Sequence, residues 1–175
     1  MKSLLVAVAV VAAAASVADA RPRPARGKRF EANKTIGLGL ELGAPTGLTG
    51  KYFIASDRAL DFGIGDIYHY GDRAGLHLYG DYLWHPVSLV STEAFELPLY
   101  IGIGARIWDF NDNRVNDNGF AIGARVPFGI TFDLNNVPLD IFFQAAFVLD
   151  VLVNYGPHAL YPDLDASIGI RYWFD

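Results

Sequence analysis

Apolar residues at every second position are the feature that most constrains how this chain folds. The alternation covers residues 35–43, 98–107, 139–151 and 164–174, where apolar side chains alternate mainly with glycine, polar or charged residues. No charged side chain lies on the apolar face of these four stretches. Successive side chains point to opposite sides in an extended strand, so the pattern predicts β-strands with one apolar and one polar face.

Four further strands are predicted from weaker alternation, over residues 48–54, 59–67, 76–84 and 119–132. Glycine, proline, asparagine and aspartate cluster in the connections, where they favour turns. The sequence therefore predicts an all-β fold, an eight-stranded antiparallel up-and-down barrel over residues 35–175. Pro127 lies inside the sixth strand and cannot donate a backbone hydrogen bond, so we expect a bulge there or a shorter strand.

The two faces of the predicted barrel suit different surroundings. The polar face is mostly glycine with few charges, which suits a crowded interior better than a wet surface. The apolar face is continuous and uncharged, which suits contact with lipid. We therefore predict a transmembrane β-barrel whose apolar side chains point outward. A soluble, lipocalin-like binder with the two faces reversed is the alternative.

Aromatic residues on the predicted outer face cluster near one end of the strands. In transmembrane barrels such residues form a girdle at the level of the lipid headgroups. The predicted girdle consists of Tyr52, Phe62, Tyr82, Trp84, Phe132 and Phe174.

The N-terminal residues differ from the rest of the chain. Residues 1–20 have a basic start, an apolar run and a small-residue Ala18-Asp19-Ala20 end, which predicts a secretory signal peptide cleaved after Ala20. Residues 21–34 hold six basic residues against Glu31, whereas residues 35–175 hold seven against 17 acidic ones. We predict that residues 21–34 form a disordered arm. Such an arm could bind anionic lipid heads or cell-wall polymer, or serve as a solvated tether.

Composition excludes several classes of protein. The chain has no cysteine, which excludes a disulfide scaffold, a cysteine-ligated zinc site and a thiol nucleophile. Its formal net charge of -5 argues against a nucleic-acid-binding protein, which would usually carry a basic face.

The leader, the eight alternating strands and the final stretch SIGIRYWF resemble the small outer-membrane β-barrels of Gram-negative bacteria, such as the OmpA transmembrane domain, OmpX and OmpW. The resemblance implies a location in the outer membrane, with lipid and the barrel-assembly machinery as partners. It also implies that Ile170, Tyr172 and Phe174 form the signal that this machinery reads, although Asp175 follows where the pattern usually ends. The N-terminus and short turns would face the periplasm, and the loops near 66–75, 109–118 and 154–163 would face outward.

Charged residues on the polar face are predicted to meet in the interior. Buried charges need partners, so we expect a network of ion pairs that plugs the lumen. The network would comprise Glu41, Lys51, Asp61, Asp81, Arg106, Arg125, Asp140, Asp150, Asp165 and Arg171, together with Gln144 and His77. The predicted function is a non-enzymatic barrel with a structural or surface-interaction role. A narrow porin-like channel, biased towards cations by the excess of acids, is the alternative.

No residue set predicts catalysis, a metal site or a cofactor. Residues 109–118 begin like a calcium loop, but Arg114 stands where that loop needs glycine and Phe120 where it needs glutamate. A looser divalent site in this loop stays open as an alternative. The histidines have no metal-ligand spacing, and the spacing of the serines and histidines does not by itself predict a catalytic set; these residues are His69, His77, His85, Ser88, Ser91 and Ser167. A spatial triad in a lipid A-modifying enzyme stays open as a further alternative.

Overall fold

The computed structural model describes residues 28–69, 73–112, 117–153 and 160–174, with side chains for residues 28–66, 75–109, 119–153 and 160–174. Within these ranges the regular structure is entirely β. The strands are β1 (Ile36–Gly43), β2 (Thr46–Ala55), β3 (Arg58–His69), β4 (Arg73–Ser91), β5 (Phe95–Asp112), β6 (Asp117–Leu134), β7 (Leu139–Val153) and β8 (Leu160–Phe174).

Each strand pairs antiparallel with its neighbours in sequence, and β1 pairs with β8, so the hydrogen bonds form a closed ring. The predicted all-β fold of eight antiparallel up-and-down strands is therefore confirmed. We call the end of the barrel where β1 begins and β8 ends the terminal end, and the other the far end. In the part of the chain that the structure describes, no helix is long and apolar enough to cross a membrane.

Several sequence predictions fall outside the described residues. The predicted signal peptide, residues 21–27 of the predicted arm and Asp175 are among them. The loops predicted to face outward include residues 70–72, 113–116 and 154–159, which also lie outside the described ranges.

Pro127 does not have the effect expected of it. β6 passes Pro127 without a register shift, and Pro127 pairs with Ala146 of β7. The pairing of β6 with β5 also keeps one register on either side of the proline. The expectation of a bulge or a shortened strand is therefore wrong. A strand residue directs its backbone groups to one neighbour only, so the missing N–H weakens one ladder and leaves the other intact.

The irregular pairing lies between β4 and β5 instead. Their register shifts between Trp84 and Val87, and again between Ser88 and Ser91. Pro86 stands within the first shift, where a residue that cannot donate a ladder bond is best tolerated. β4 consequently extends well past the end predicted for the fourth strand.

The pairing around the ring fixes the width of the barrel. Gly37 of β1 pairs directly with Trp173 of β8. Following register partners the other way around the barrel, from Gly37 through β2 to β7, leads instead to Asp163 of β8, ten residues before Trp173. In an eight-stranded barrel this offset corresponds to strands tilted by about 40° and a radius of about 8 Å. An interior this narrow is filled by side chains.

Large apolar side chains point out of the barrel and charged side chains point in. β7 alternates almost perfectly between exposed and buried residues. On the outside, Leu42 and Phe147 are 64% and 62% exposed, whereas inside, Arg106 and Arg171 are each 1% exposed. This is the reverse of the arrangement that a lipocalin-like soluble barrel requires.

Inward glycines make room for large side chains on the neighbouring strand. A Cβ atom on Gly63, for example, would lie 2.2 Å from the ring of Tyr79, its partner in register. The same relation joins Gly37 with Trp173, Gly129 with Tyr100, Gly169 with Phe142, Gly104 with Asp81, and Gly123 with Asp150. The glycines on the polar face therefore act as recesses into which the interior side chains pack.

The N-terminal segment, residues 28–35, packs against the terminal end of the barrel. Phe30 is 2% exposed and contacts the rings of Phe53 and His85. The amide of Ser88 donates to the carbonyl of Lys28 at 2.9 Å. The expectation of a disordered arm therefore does not describe residues 28–34. The expectation rested on two prolines and the lack of an apolar period in this segment, and neither feature reveals that Phe30 alone packs into a recess of the barrel.

Candidate functional site

The far half of the barrel interior is organised around Arg106. Its guanidinium group bonds both carboxylate oxygens of Asp150, with Nε 3.1 Å from Oδ1, and it also bonds Asp165. Its Nη2 atom lies 2.6 Å from Asp163 Oδ2. The indole N–H of Trp108 donates to Asp150 at 3.2 Å. One guanidinium thus holds three carboxylates from β7 and β8.

Arg125 connects this cluster to the opposite wall. Its Nη1 atom donates to Asp165 Oδ2 at 2.6 Å, and its Nε atom lies 3.3 Å from Asp81 Oδ1. Its guanidinium carbon lies 4.2 Å from the centroid of the Tyr79 ring. Because Asp165 contacts both Arg106 and Arg125, these two arginines and four aspartates form one network.

A second cluster occupies the half of the interior nearer the terminal end. Arg171 donates to Asp61 at 2.7 Å and to Asp140 at 3.2 Å. Its guanidinium carbon lies 4.1 Å from the centroid of the Phe142 ring. Trp173 donates to the other oxygen of Asp140 at 3.0 Å. Arg171 is thus paired on both sides, as a buried guanidinium requires.

Two of the predicted lumen residues are buried without an ion pair among the described residues. Glu41 accepts a hydrogen bond from the hydroxyl of Tyr79 at 3.1 Å. The ammonium of Lys51 lies 4.4 Å from the centroid of the Tyr100 ring, with Asp61 as its partner in register on β3. The other eight predicted residues belong to the two clusters. Of the two further polar residues predicted there, Gln144 accepts from Tyr100, and His77 is fully buried.

Several interior partners were not among the sequence predictions. Asp163, Tyr79, Tyr100, Trp108, Phe142 and Trp173 all contact the charged groups. Four of them lie on the polar face of predicted strands: Tyr79, Tyr100, Phe142 and Trp173. An aromatic residue on that glycine-rich face is the sequence feature that could have identified them as interior partners. Lys34 also pairs with Asp133, an ion pair between residues too far apart in sequence for alternation to reveal.

Some interior oxygen atoms have no hydrogen-bond partner among the described residues. They are Glu41 Oε1, Thr49 Oγ1, Asp61 Oδ2, both carboxylate oxygens of Asp81 and Thr131 Oγ1. Buried polar atoms of this kind are usually satisfied by internal water. Buried carboxylates also outnumber buried cations, with Glu41, Asp61, Asp81, Asp133, Asp140, Asp150 and Asp165 against Lys51, Arg106, Arg125 and Arg171.

Apolar side chains close the interior towards both ends. At the terminal end the ring of Phe53 stacks on Trp173 at a centroid distance of 5.5 Å and contacts His85 and Phe30. Towards the far end, Trp108 packs with Ala121 and Leu152, and Ala44 of the β1–β2 turn packs against this group. The charged groups therefore lie between two apolar caps.

Five of the six residues of the predicted aromatic girdle lie in the half of their strand nearer the terminal end, and Tyr82 is at the middle of β4; four of the six are exposed and two half-buried. Tyr82 contacts Trp84 at a centroid distance of 4.7 Å, and Tyr172 contacts Phe174 at 5.0 Å. Ile170, Tyr172 and Phe174 all lie on the outer face of β8.

The residues weighed for metal binding do not come together in the described part of the chain. Asp109 accepts a hydrogen bond from the amide of Leu76, and Asn113 lies outside the described residues. His85 is buried among aromatic rings, and the side chain of His69 is not described. Within the described residues there is no group of three or more histidine or carboxylate side chains that could hold a metal ion.

Comparison with known proteins returns no relative. No protein family, no curated protein and no solved structure matches this chain.

Proposed function

We propose that this protein is an integral outer-membrane β-barrel with a plugged polar lumen and a structural or surface-interaction role. The observation that carries the proposal is the direction of the side chains. Large leucine, isoleucine and phenylalanine side chains cover the outside, and every buried charge described above lies inside. That apolar outer surface is far larger than the apolar patches that soluble proteins expose to water. Against lipid it is stabilising, at roughly 25 cal/mol per Å² removed from water.

The outer aromatic residues support an orientation in the membrane. Tyr52, Tyr172 and Phe174 are exposed near the terminal end, and Phe120, Phe147 and Tyr161 are exposed towards the far end. Aromatic side chains favour the headgroup regions, so the two ends would lie at the two interfaces, and the proposal puts the terminal end at the periplasmic one. The proposal includes export by a signal peptide in residues 1–20 and insertion by the barrel-assembly machinery through Ile170, Tyr172 and Phe174.

The interior supports a closed barrel rather than an open pore. The two charge clusters cross the lumen, and apolar caps lie at both ends. A narrow cation-selective channel is the second candidate, favoured by the buried carboxylate oxygens that lack a hydrogen bond among the described residues and by the excess of buried carboxylates over buried cations.

Fractionation of cells and conductance measurements test the proposal together. We expect the mature protein, without residues 1–20, in the detergent-extracted outer-membrane fraction, and we expect no conductance in planar bilayers. Steady cation-selective conductance would favour the channel. Recovery in the soluble periplasm would contradict membrane insertion, and altered lipid A on overproduction would indicate an enzyme instead.

A further inference from the structure

The N-terminal segment crosses the opening of the barrel at its terminal end, which we call the terminal mouth. The amide of Ala32 donates to the carbonyl of Ser56, in the β2–β3 turn, at 2.7 Å. Further along, the amide of Ser88 on β4 donates to the carbonyl of Lys28 at 2.9 Å. The main chain of the segment therefore runs from β1, past the β2–β3 turn, to β4.

Two side chains of the segment extend from this path over the terminal mouth. The ring centroid of Phe30 lies 5.8 Å from that of Phe53 on β2 and 5.2 Å from that of His85 on β4. Lys34 reaches β6, which stands opposite β2 in the ring of eight strands, and its ammonium group pairs with Asp133. A buried ring and an ion pair thus attach the segment to different sides of the mouth.

His85 is the titratable side chain that Phe30 covers. It is 1% exposed, and its ring also contacts Tyr100 at a centroid distance of 5.5 Å. His77 lies eight residues earlier on the same inner face of β4, in the far half of the strand, and is fully buried there. The two histidines therefore report separately on the two ends of the interior.

The N-terminal segment is attached more sparsely than the strands are. Apart from its junction with β1, its described main-chain bonds to the barrel are the two given above, and Lys28 with Ser88 forms an isolated bridge outside any strand ladder. Among residues 28–35 only Phe30 is buried, and the side chain of Arg29 is 78% exposed. Segments with few buried apolar contacts open locally at a lower free-energy cost than global unfolding.

We propose that the N-terminal segment is a lid on the terminal mouth, which opens by withdrawing Phe30 while the eight strands stay paired. Closed, the lid keeps water from Phe53 and His85; open, it gives solutes access to the aromatic recess that these two residues form with Tyr100. The ion pairs of the interior arginines do not involve the segment, so opening exposes the recess without making a pore. The inference goes beyond the proposed function, since it requires the closed barrel and not its insertion into a membrane.

Chemical modification of the histidines tests the lid, with the full chain folded in detergent micelles. Diethyl pyrocarbonate acylates imidazole rings that water can reach, and mass spectrometry of the peptides gives a rate for each histidine. In Phe30→Ala we expect His85 to react roughly 100-fold faster than in the unaltered protein, a factor in line with the loss of a buried phenylalanine ring. His77 should stay protected, which shows that the variant is folded.

A second variant weakens the other attachment of the lid. Asp133→Asn keeps the size of the side chain but removes the charge that Lys34 pairs with, so His85 should react about tenfold faster, since a hydrogen bond to a charged group has that worth. Leu152→Ala is the matched control, because it removes a buried apolar side chain from the cap at the far end. In this control His85 should react as slowly as in the unaltered protein.

Three results would overturn the lid. One is an unchanged rate at His85 in folded Phe30→Ala, or in Asp133→Asn if Phe30→Ala does not fold. The others are an equal rise at His85 in Leu152→Ala, and a rise at His77 that matches the rise at His85, since either would indicate loosening of the whole barrel. None of these results concerns the membrane, so the lid and the proposed function can fail separately.

Discussion

Each of the three interior arginines forms ion pairs with at least two carboxylates. Replacing one of these arginines would therefore leave several buried carboxylates without a cation and lower the stability of the fold. Arg171 contacts Asp61 and Asp140, Arg125 contacts Asp81 and Asp165, and Arg106 contacts three aspartates. Removing one partner of a buried pair leaves a charge that the narrow interior cannot solvate. The interior charges therefore act as interdependent groups and not as separate surface pairs.

Arg171→Ala should lower the free energy of unfolding by roughly 3–5 kcal/mol, because it leaves Asp61 and Asp140 buried without their cation. Urea unfolding of the protein in vesicles would measure the loss. Arg58→Ala is the matched control, since the Arg58 side chain is 52% exposed. Its removal should cost no more than about 1 kcal/mol. Equal stability of the two variants would contradict the network.

Glycine residues on the two faces should respond oppositely to the same substitution. Gly63→Ala places a methyl group against Tyr79 and Glu41 and should destabilise the barrel by about 1–3 kcal/mol. Gly80 faces outward with open space around its Cβ position, so Gly80→Ala should be neutral or slightly stabilising. A loss of stability at Gly80 that matches the loss at Gly63 would contradict the recess role of the inward glycines.

At the scale of the element, each strand has two faces that tolerate different side chains. The outer face of β5 carries Ile101, Ile103 and Ile107, all at least half exposed. Its inner face carries Arg106, which is held by β7 and β8. Whether a side chain meets the outside or the lumen is therefore set by its odd or even position along the strand.

Ile101→Arg tests the outer face. At the middle of the bilayer the change should cost roughly 2–4 kcal/mol, because the arginine meets hydrocarbon. Unfolding in vesicles would measure it, with Val137→Arg in the β6–β7 turn as the control. There the cost should be no more than about 1 kcal/mol. Comparable costs at both positions would show that the faces are wrongly assigned.

The N-terminal segment behaves as an element of the barrel although it is not a strand. Phe30→Ala should lower the free energy of unfolding by about 3–5 kcal/mol, since it empties the recess formed with Phe53 and His85. Glu31→Ala, which changes an exposed neighbour, is the control and should have little effect. Equal free energies of unfolding for the two variants would show that the segment does not stabilise the barrel.

At the scale of the whole molecule, pairing of the first strand with the last converts a sheet with two edges into a closed ring. Closure means that folding is complete only when residues of β1 and β8 have met. Such non-local pairing is slow and leaves edges exposed until the ring closes.

Ring closure can be tested directly because the chain has no cysteine of its own. Leu38 of β1 pairs with Tyr172 of β8, so Leu38→Cys with Tyr172→Cys should form a disulfide on mild oxidation. Non-reducing electrophoresis would detect it. Leu38→Cys combined with Phe143→Cys on β7 should not cross-link. A free thiol pair in the first variant, or a bridge in the second, would contradict the closure.

Much of the interior could be predicted from the sequence, because alternation assigns every residue to a face. All ten charged residues assigned to the lumen are buried. Their ion-pair partners could not be predicted, because strand register decides which residues of different strands lie at the same height in the lumen. Asp165, for example, meets two arginines from β5 and β6, across the lumen and far away in sequence.

The sequence by itself determined the number of strands, their order and the direction of each side chain, because these follow from a period of two and from local turn residues. Only the tertiary structure decided the ion-pair partners, the docking of Phe30 and the harmless position of Pro127. Those features depend on register, strand tilt and strand length around the closed ring. They are properties of how distant strands align, and no local pattern of residues encodes them.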